Sequence, residues 1–263
     1  MKISVIIPTY KPKDYLWECL ESLVKQTFNK DDFEIILVLN GCCEPWKQKI
    51  ENYISKNMHD MNICFFQTDA PGVSNARNIA LDNAKGEYIT FIDDDDYISS
   101  VYLQALYDKA TPETVSLCYP YAFNDECPNV QLPYRITDAY NNCTKKNIKT
   151  LTSVARKFFS GPCMKLIPSN IIRNYRFDIR FKNGEDSLFM FSISDKIKKI
   201  DFTSKEAVYY RRYRTNSATS NLSSLNQKMK HVIKMIYGYC EIYSKGKYNK
   251  IFFITRILAA FKV

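Results

Sequence analysis

Apolar residues in the first half of the chain follow two alternating patterns. Short, mostly apolar runs at residues 3–7, 34–39, 63–66 and 88–92 have the length and β-branched or aromatic content of buried strands. Between them, apolar positions fall three and four apart: Leu16, Cys19, Leu20 and Leu23; then Trp46, Ile50, Tyr53 and Ile54; then the segment 74–84. This spacing predicts amphipathic helices. The punctuation agrees. Pro8 is expected to stop the first strand, Asp14 to cap the first helix and Pro45 to open the second. Pro71-Gly72 turns into the third helix and Lys85-Gly86 ends it. Strands alternating with helices predict an α/β fold, Rossmann-like, with a mostly parallel central sheet and helices on both faces. Ligands of such sheets bind beyond the carboxyl ends of the strands. There the chain places Thr9-Tyr10, Asn40-Gly41 and the run Asp93-Asp94-Asp95-Asp96.

From about residue 115 the pattern loosens. Residues 115–121 are expected to form one strand, and the polar stretch 124–150 a loop over the site. A short strand and helix are expected over 165–174, a helix over 187–193 and a strand over 206–212. Leu225, Met229, Val232, Ile233, Ile236, Cys240 and Tyr243 keep helical spacing. Residues 251–261 are apolar nearly all round apart from Arg256. At eleven residues they fall short of the ~18–20 needed to span a bilayer. Two outcomes stay open for them: lying in the membrane interface, or docking on the domain.

Composition refines this picture. A chain of 263 residues with 46% apolar content can build one large domain, or a domain with an appendage. Residues 1–140 carry 12 Lys+Arg against 21 Asp+Glu, and residues 141–263 carry 25 against 7. An acidic half suits a metal, and a basic half suits phosphates, a membrane surface or nucleic acid. Nine cysteines without a C-x-x-C, and only two histidines, argue against zinc. Their odd number and apolar settings read as reduced thiols of a cytosolic protein. The first apolar run is too brief for a signal peptide.

The candidate chemistry rests on carboxylates. Four adjacent Asp side chains repel one another, so they need full solvation or a neutralising cation. Mg²⁺ and Mn²⁺ take oxygen ligands, commonly one or two carboxylates plus substrate phosphates. The plain alternative is a solvated turn with helix caps. Glu185-Asp186 stands at or near the start of the helix expected over 187–193, where acidic residues also serve simply as caps and dipole partners. Arg211, Arg212 and Arg214 match phosphate geometry, or form a solvated basic edge. No G-x-G-x-x-G or Walker loop is present. Pro8-Thr9-Tyr10 stands where a nucleotidyltransferase would need a Gly-rich phosphate loop.

Seven motifs in order, over residues 2 to about 217, carry a resemblance. They are SVIIPTY at 4–10, EIILVLNG at 34–41, PGVSNARNIAL at 71–81, GEYITFIDDDD at 86–96, MKLIP at 164–168, NGEDSLF at 183–189 and YYRRYRTNS at 209–217. Together they resemble the family 2 glycosyltransferases, which have the GT-A fold. The resemblance implies a transferase domain over 1–217, with a nucleotide-sugar half at 1–115 and an acceptor half at 116–217. Residues 218–263 are expected to form a helical, basic and apolar C-terminal extension. It implies metal-dependent, inverting transfer of a sugar from a nucleotide donor, most often UDP-linked, to an acceptor hydroxyl. The DxD motif would place Mg²⁺ or Mn²⁺ on Asp93 and Asp95. Pro8, Thr9, Tyr10, Asn40, Arg77, Asp93 and Asp94 would lie along the nucleotide or its diphosphate. Asp186 would be the general base, with Glu185 as its understudy. One departure is that Leu39, followed by Asn40, stands where the family usually has Asp to hold the uracil. Charge asymmetry and the apolar tail, added to the resemblance, suggest a lipid-linked glycan acceptor of bacterial surface polysaccharide synthesis. They also suggest a cytoplasmic enzyme with peripheral contact to the inner face of the cell membrane, and no nucleic-acid partner. The competing reading is a non-catalytic membrane- or nucleic-acid-binding module with a decayed transferase site.

Overall fold

A computed structural model describes residues 1–214 and 225–261, the side chain of Leu225 excepted. Four parallel strands form its centre: β1 (Ile3–Thr9), β2 (Phe33–Asn40), β3 (Ile63–Thr68) and β4 (Tyr88–Phe91). Helices α1 (Tyr15–Val24), α2 (Trp46–Asn57) and α3 (Val73–Asn83) connect them. Every residue of β1 and β2 is buried, as expected of a parallel strand covered on both faces. The β4 strand leads through a two-residue β5 (Tyr97–Ile98) into α4 (Tyr102–Lys109) and β6 (Thr114–Leu117). Beyond these lie β7 (Tyr119–Asn124), α5 (Arg135–Lys145), β8 (Lys165–Pro168) and α6 (Ser169–Ile172). The chain ends with α7 (Glu185–Ser192), β9 (Lys199–Phe202), β10 (Val208–Tyr213), α8 (Leu225–Ser244) and α9 (Lys250–Ala260).

The main sheet has seven strands in the order β3-β2-β1-β4-β8-β6-β9, with β8 antiparallel to both its neighbours. This is the mostly parallel sheet with helices around it that the sequence predicts. From β1 the chain crosses outward to β2 and β3, then returns to the other side of β1 as β4. The order therefore reverses between β1 and β4, and a crevice opens at their carboxyl ends. A second sheet of three strands, β5-β10-β7, carries β10 back beside that crevice. At the opposite end of the main sheet, Gly86 packs against β1 so closely that a Cβ would stand 2.4 Å from the Ser4 nitrogen. Its N–H donates to the Ser4 hydroxyl at 2.8 Å, and that hydroxyl donates to Glu34 at 2.6 Å.

Several expectations need correction. Pro8 does not stop β1, which runs on to Thr9. Even-numbered residues of β1 face β4: the carbonyls of Lys2 and Ile6 accept from Tyr88 and Ile92. By alternation Pro8 faces the same side, so its missing N–H ends the β1–β4 ladder after the Ile92-to-Ile6 bond while pairing with β2 continues through Thr9. Asp14 precedes α1 but makes no side-chain cap. The expected strand over 115–121 is two strands in two sheets, separated at buried Cys118. Residues 135–145, expected within a loop, form α5, with Ile136, Ala139, Tyr140 and Cys143 buried at helical spacing. The division at 115/116 falls inside β6, so both proposed halves contribute to one sheet. The boundary at 217/218, and the Thr215-Asn216-Ser217 end of the last motif, lie outside the described residues. The apolar tail docks: α9 buries Phe252, Arg256 and Ala260.

Candidate active site

The Asp run leaves β4 as a tight turn, with the Asp96 N–H donating to the Asp93 carbonyl at 3.0 Å. Each carboxylate then meets a different partner. Asp94 accepts a hydrogen bond from the Thr9 hydroxyl, which closes the crevice floor between β1 and β4. Burial outweighs that bond and pushes the Asp94 carboxyl up to about 7. Asp95 pairs with Arg214 at 2.7 Å, while burial and the charge of Asp93 raise its pKa. Asp96 is buried, accepts the Arg212 backbone N–H at 2.8 Å and is raised well above the usual carboxylate range by desolvation. It enters β5 and not a helix. Asp93 accepts from Arg77 Nη2 at 2.9 Å.

Arg77 is where sequence and structure part. The resemblance places it at the nucleotide or diphosphate. In the structure its side chain is 3% exposed on the buried face of α3, stacked over the Phe177 ring. Nη1 donates to Asp186 and Nη2 to Asp93, so one guanidinium ties the two carboxylates together. It braces the site from behind the cleft wall.

Glu185 and Asp186 are the first two residues of α7, entered from Gly184 at φ 81°. A residue with a side chain rarely adopts that left-handed conformation. Glu185 lines the cleft; burial and its Asp186 neighbour push its carboxyl up to about 7. Asp186 is raised by burial, with Arg77 pulling the other way. One oxygen of Asp186 is held by Arg77, and the other, Oδ2, lies 3.9 Å from where a Cβ on Gly161 would stand.

The Asp run and Glu185 border a cleft of about 560 Å³, while Asp186 and Arg77 lie behind its lining. Of the expected nucleotide ligands, Pro8, Thr9, Tyr10, Asn40, Asp93 and Asp94 line it. Tyr10 is the exposed one. Both functional ends of the Asn40 amide are engaged: Nδ2 donates to the Thr9 carbonyl at 2.7 Å, and Oδ1 accepts the Gly72 N–H at 2.9 Å. Asn40 therefore fastens β1 to the start of α3. Leu39 is wholly buried within β2.

The arginines of β10 divide. Arg212 is held by Glu18, Asp125 and the Asp95 carbonyl among the rings of Tyr15, Tyr97 and Phe123. These contacts fix its position. Arg211 donates to the Tyr134 hydroxyl at 2.9 Å, and Arg211, Arg212 and Arg214 all line the cleft. Sequence reasoning missed Lys11, Lys13 and Lys182 at the cleft edge. Their signal was adjacency to the motifs, obscured by the general abundance of lysine.

The oxygen donor set fits a hard divalent cation. Asp93 and Asp95 both line the cleft, beside carboxyls held in costly proximity. Among the described residues, no three His, Cys, Asp or Glu side chains are arranged to enclose an ion by themselves. Mg²⁺ or Mn²⁺ would complete its shell with phosphate and water oxygens.

Comparison with known proteins bears on this geometry. A family profile described as "Glycosyl transferase family 2" matches residues 4–173. A poly(ribitol-phosphate) beta-N-acetylglucosaminyltransferase, TarS, of Staphylococcus aureus is 28% identical over 244 residues, covering 90% of this chain and 40% of that protein. The chain thus spans about two fifths of the length of that curated relative. The crystal structure of S. aureus TarS 1-349 in complex with UDP-GlcNAc superposes with a TM-score of 0.75 at 23% identity, covering 100% of this chain and 72% of that one. A mannosyltransferase from Pyrobaculum calidifontis, in complex with GDP-Man and Mn²⁺, superposes at 0.62 with 16% identity, covering 98% and 68%. These likenesses establish the fold expected from the motifs.

Proposed function

The chain belongs to glycosyl transferase family 2, and from that premise we propose that it is an inverting glycosyltransferase using a UDP-linked sugar. The observation that carries the proposal is the Asp93–Arg77–Asp186 bridge at the reversal point of the sheet. It fixes two carboxylates with different tasks on one rigid guanidinium. Asp93 and Asp95 take the diphosphate end of the donor and would hold Mg²⁺ or Mn²⁺, which would neutralise charge on the departing diphosphate. Thr9 and Tyr10 border the nucleotide. Asp186, through Oδ2, takes the proton of the acceptor hydroxyl as its oxygen attacks the anomeric carbon. The bond from that carbon to the phosphate oxygen breaks on the opposite side, and UDP departs. Burial raises the pKa of Asp186 and makes its carboxylate a stronger base. Glu185, on the cleft side, shapes the same pocket.

The acceptor in this reading is a hydroxyl of a surface polysaccharide or its lipid-linked precursor, met at the inner face of the cell membrane. The name of TarS describes transfer to a phosphate-bearing polymer. Arg211, Arg214, Lys11, Lys13 and Lys182 around the cleft suit a substrate rich in phosphate. The test is UDP release from a panel of UDP-sugars with Mn²⁺ present. Turnover with at least one donor is expected. No turnover with any donor would favour a non-catalytic module.

A further inference from the structure

Docking of α9 settles one of its faces and leaves the other unexplained. Phe252, Arg256 and Ala260 turn inward. Ile251, Ile254, Leu258 and Phe261 are each more than half exposed. At 3.6 residues per turn these four fall within an arc of about 80° on the outer face. The preceding helix repeats the arrangement. On α8, Met235 and Tyr239 are buried, while Met229, Ile233 and Tyr237 are each more than half exposed, again within about 80°. Single exposed apolar side chains are ordinary, but seven on two consecutive, mutually packed helices need a partner.

The charge around these stripes indicates which partner. Residues 225–261 contain six lysines and Arg256 against a single acid, Glu241. Glu241 is already paired with Lys245 at 2.7 Å and Arg180 at 2.9 Å. Lys230, Lys247 and Lys250 are exposed. A second copy of the chain would oppose this basic segment with its own, and like charge would resist the contact. An anionic surface would be attracted to it. No helix among the described residues is long and apolar enough to cross a membrane, and α9, at roughly 16 Å, suits a position along the interface.

We propose that the outer faces of α8 and α9 form a docking surface for an anionic phospholipid membrane. Ile251, Ile254, Leu258 and Phe261 enter the headgroup region, with lysines against the lipid phosphates. The proposal does not rest on the transferase reading, since neither helix supplies a residue to the cleft.

The experiment is co-sedimentation of the full chain with phosphatidylcholine vesicles, with and without phosphatidylglycerol. Binding to the anionic vesicles is expected, weakened by salt and at least roughly tenfold weaker on neutral ones. The double variant Ile254→Ser/Leu258→Ser should lose most of that binding while its UDP titration and thermal midpoint stay unchanged. A charge variant, Lys230→Glu/Lys250→Glu, should lose the anionic preference even if the serine variant folds poorly. Absence of vesicle binding, or undiminished binding by both variants, would overturn the proposal. So would wild-type self-association that the serine variant abolishes without any vesicle binding, which would assign the face to a second copy.

Discussion

Arg77 donates through both of its terminal nitrogens, Nη1 to Asp186 and Nη2 to Asp93. An ammonium at the same position is a point charge and cannot hold Asp93 and Asp186 in one plane. Arg77→Lys should therefore lower stability by about 1–2 kcal/mol, allowing for solvent around the two partly exposed carboxylates. Urea unfolding would measure it, and a stability equal to wild type would show that the bridge contributes nothing. The Asp run and the Glu185-Asp186 pair were legible in the sequence because adjacent carboxylates demand an explanation. Arg77 was named through the resemblance, but its bridging role was not legible, since nothing in a helical repeat says that one inward position will hold a charge. Arg211 and Arg212 were indistinguishable in sequence. Strand alternation gives them different neighbours, one at Tyr134 and the other between Glu18 and Asp125. The raised carboxyls of Asp94 and Glu185 make a further prediction. Their folded pKa values, about 7, lie above the unfolded values, so the folded state binds more protons between about pH 4 and 7. That contribution is complete at low pH and is lost as pH rises through 7. The thermal midpoint should fall by on the order of a few degrees from pH 5 to pH 8. Asp94→Asn should flatten part of that slope, and an unaltered slope would remove Asp94 from the account.

At the scale of elements, the entry to α7 governs the base. Gly184 holds a left-handed conformation, and a Cβ there would stand 2.6 Å from the Met235 sulfur. Gly184→Ala should cost at least about 1 kcal/mol. Because it displaces the turn bearing Glu185 and Asp186, it should lower kcat more than it weakens UDP binding. An equal effect on both would mean that α7 does not position the chemistry. The strands and helices of residues 1–110 were legible because each buries a continuous run or a regular stripe. The α5 helix was hidden by its Thr and Asn residues, although Ile136, Ala139, Tyr140 and Cys143 keep the helical interval. The break at Cys118 left no mark, since that residue is buried like its neighbours on both sides.

Over the whole molecule, the acidic and basic halves interlock and do not simply serve separate ligands. Arg212 and Arg214, from the basic half, return on β10 and its exit to pair with Glu18, Asp125 and Asp95 of the acidic half. Asp95→Ala should abolish the gain in UDP affinity on adding Mn²⁺. Calorimetric titration would show the same gain in mutant and wild type if Asp95 is not a metal ligand. The most direct test of the central claim compares Asp186→Asn with wild type, using a donor that the wild type turns over. Transfer should fall by at least ~10²-fold, as loss of a general base requires, while donor binding with Mn²⁺ stays within roughly threefold. Wild-type turnover by Asp186→Asn would contradict the account.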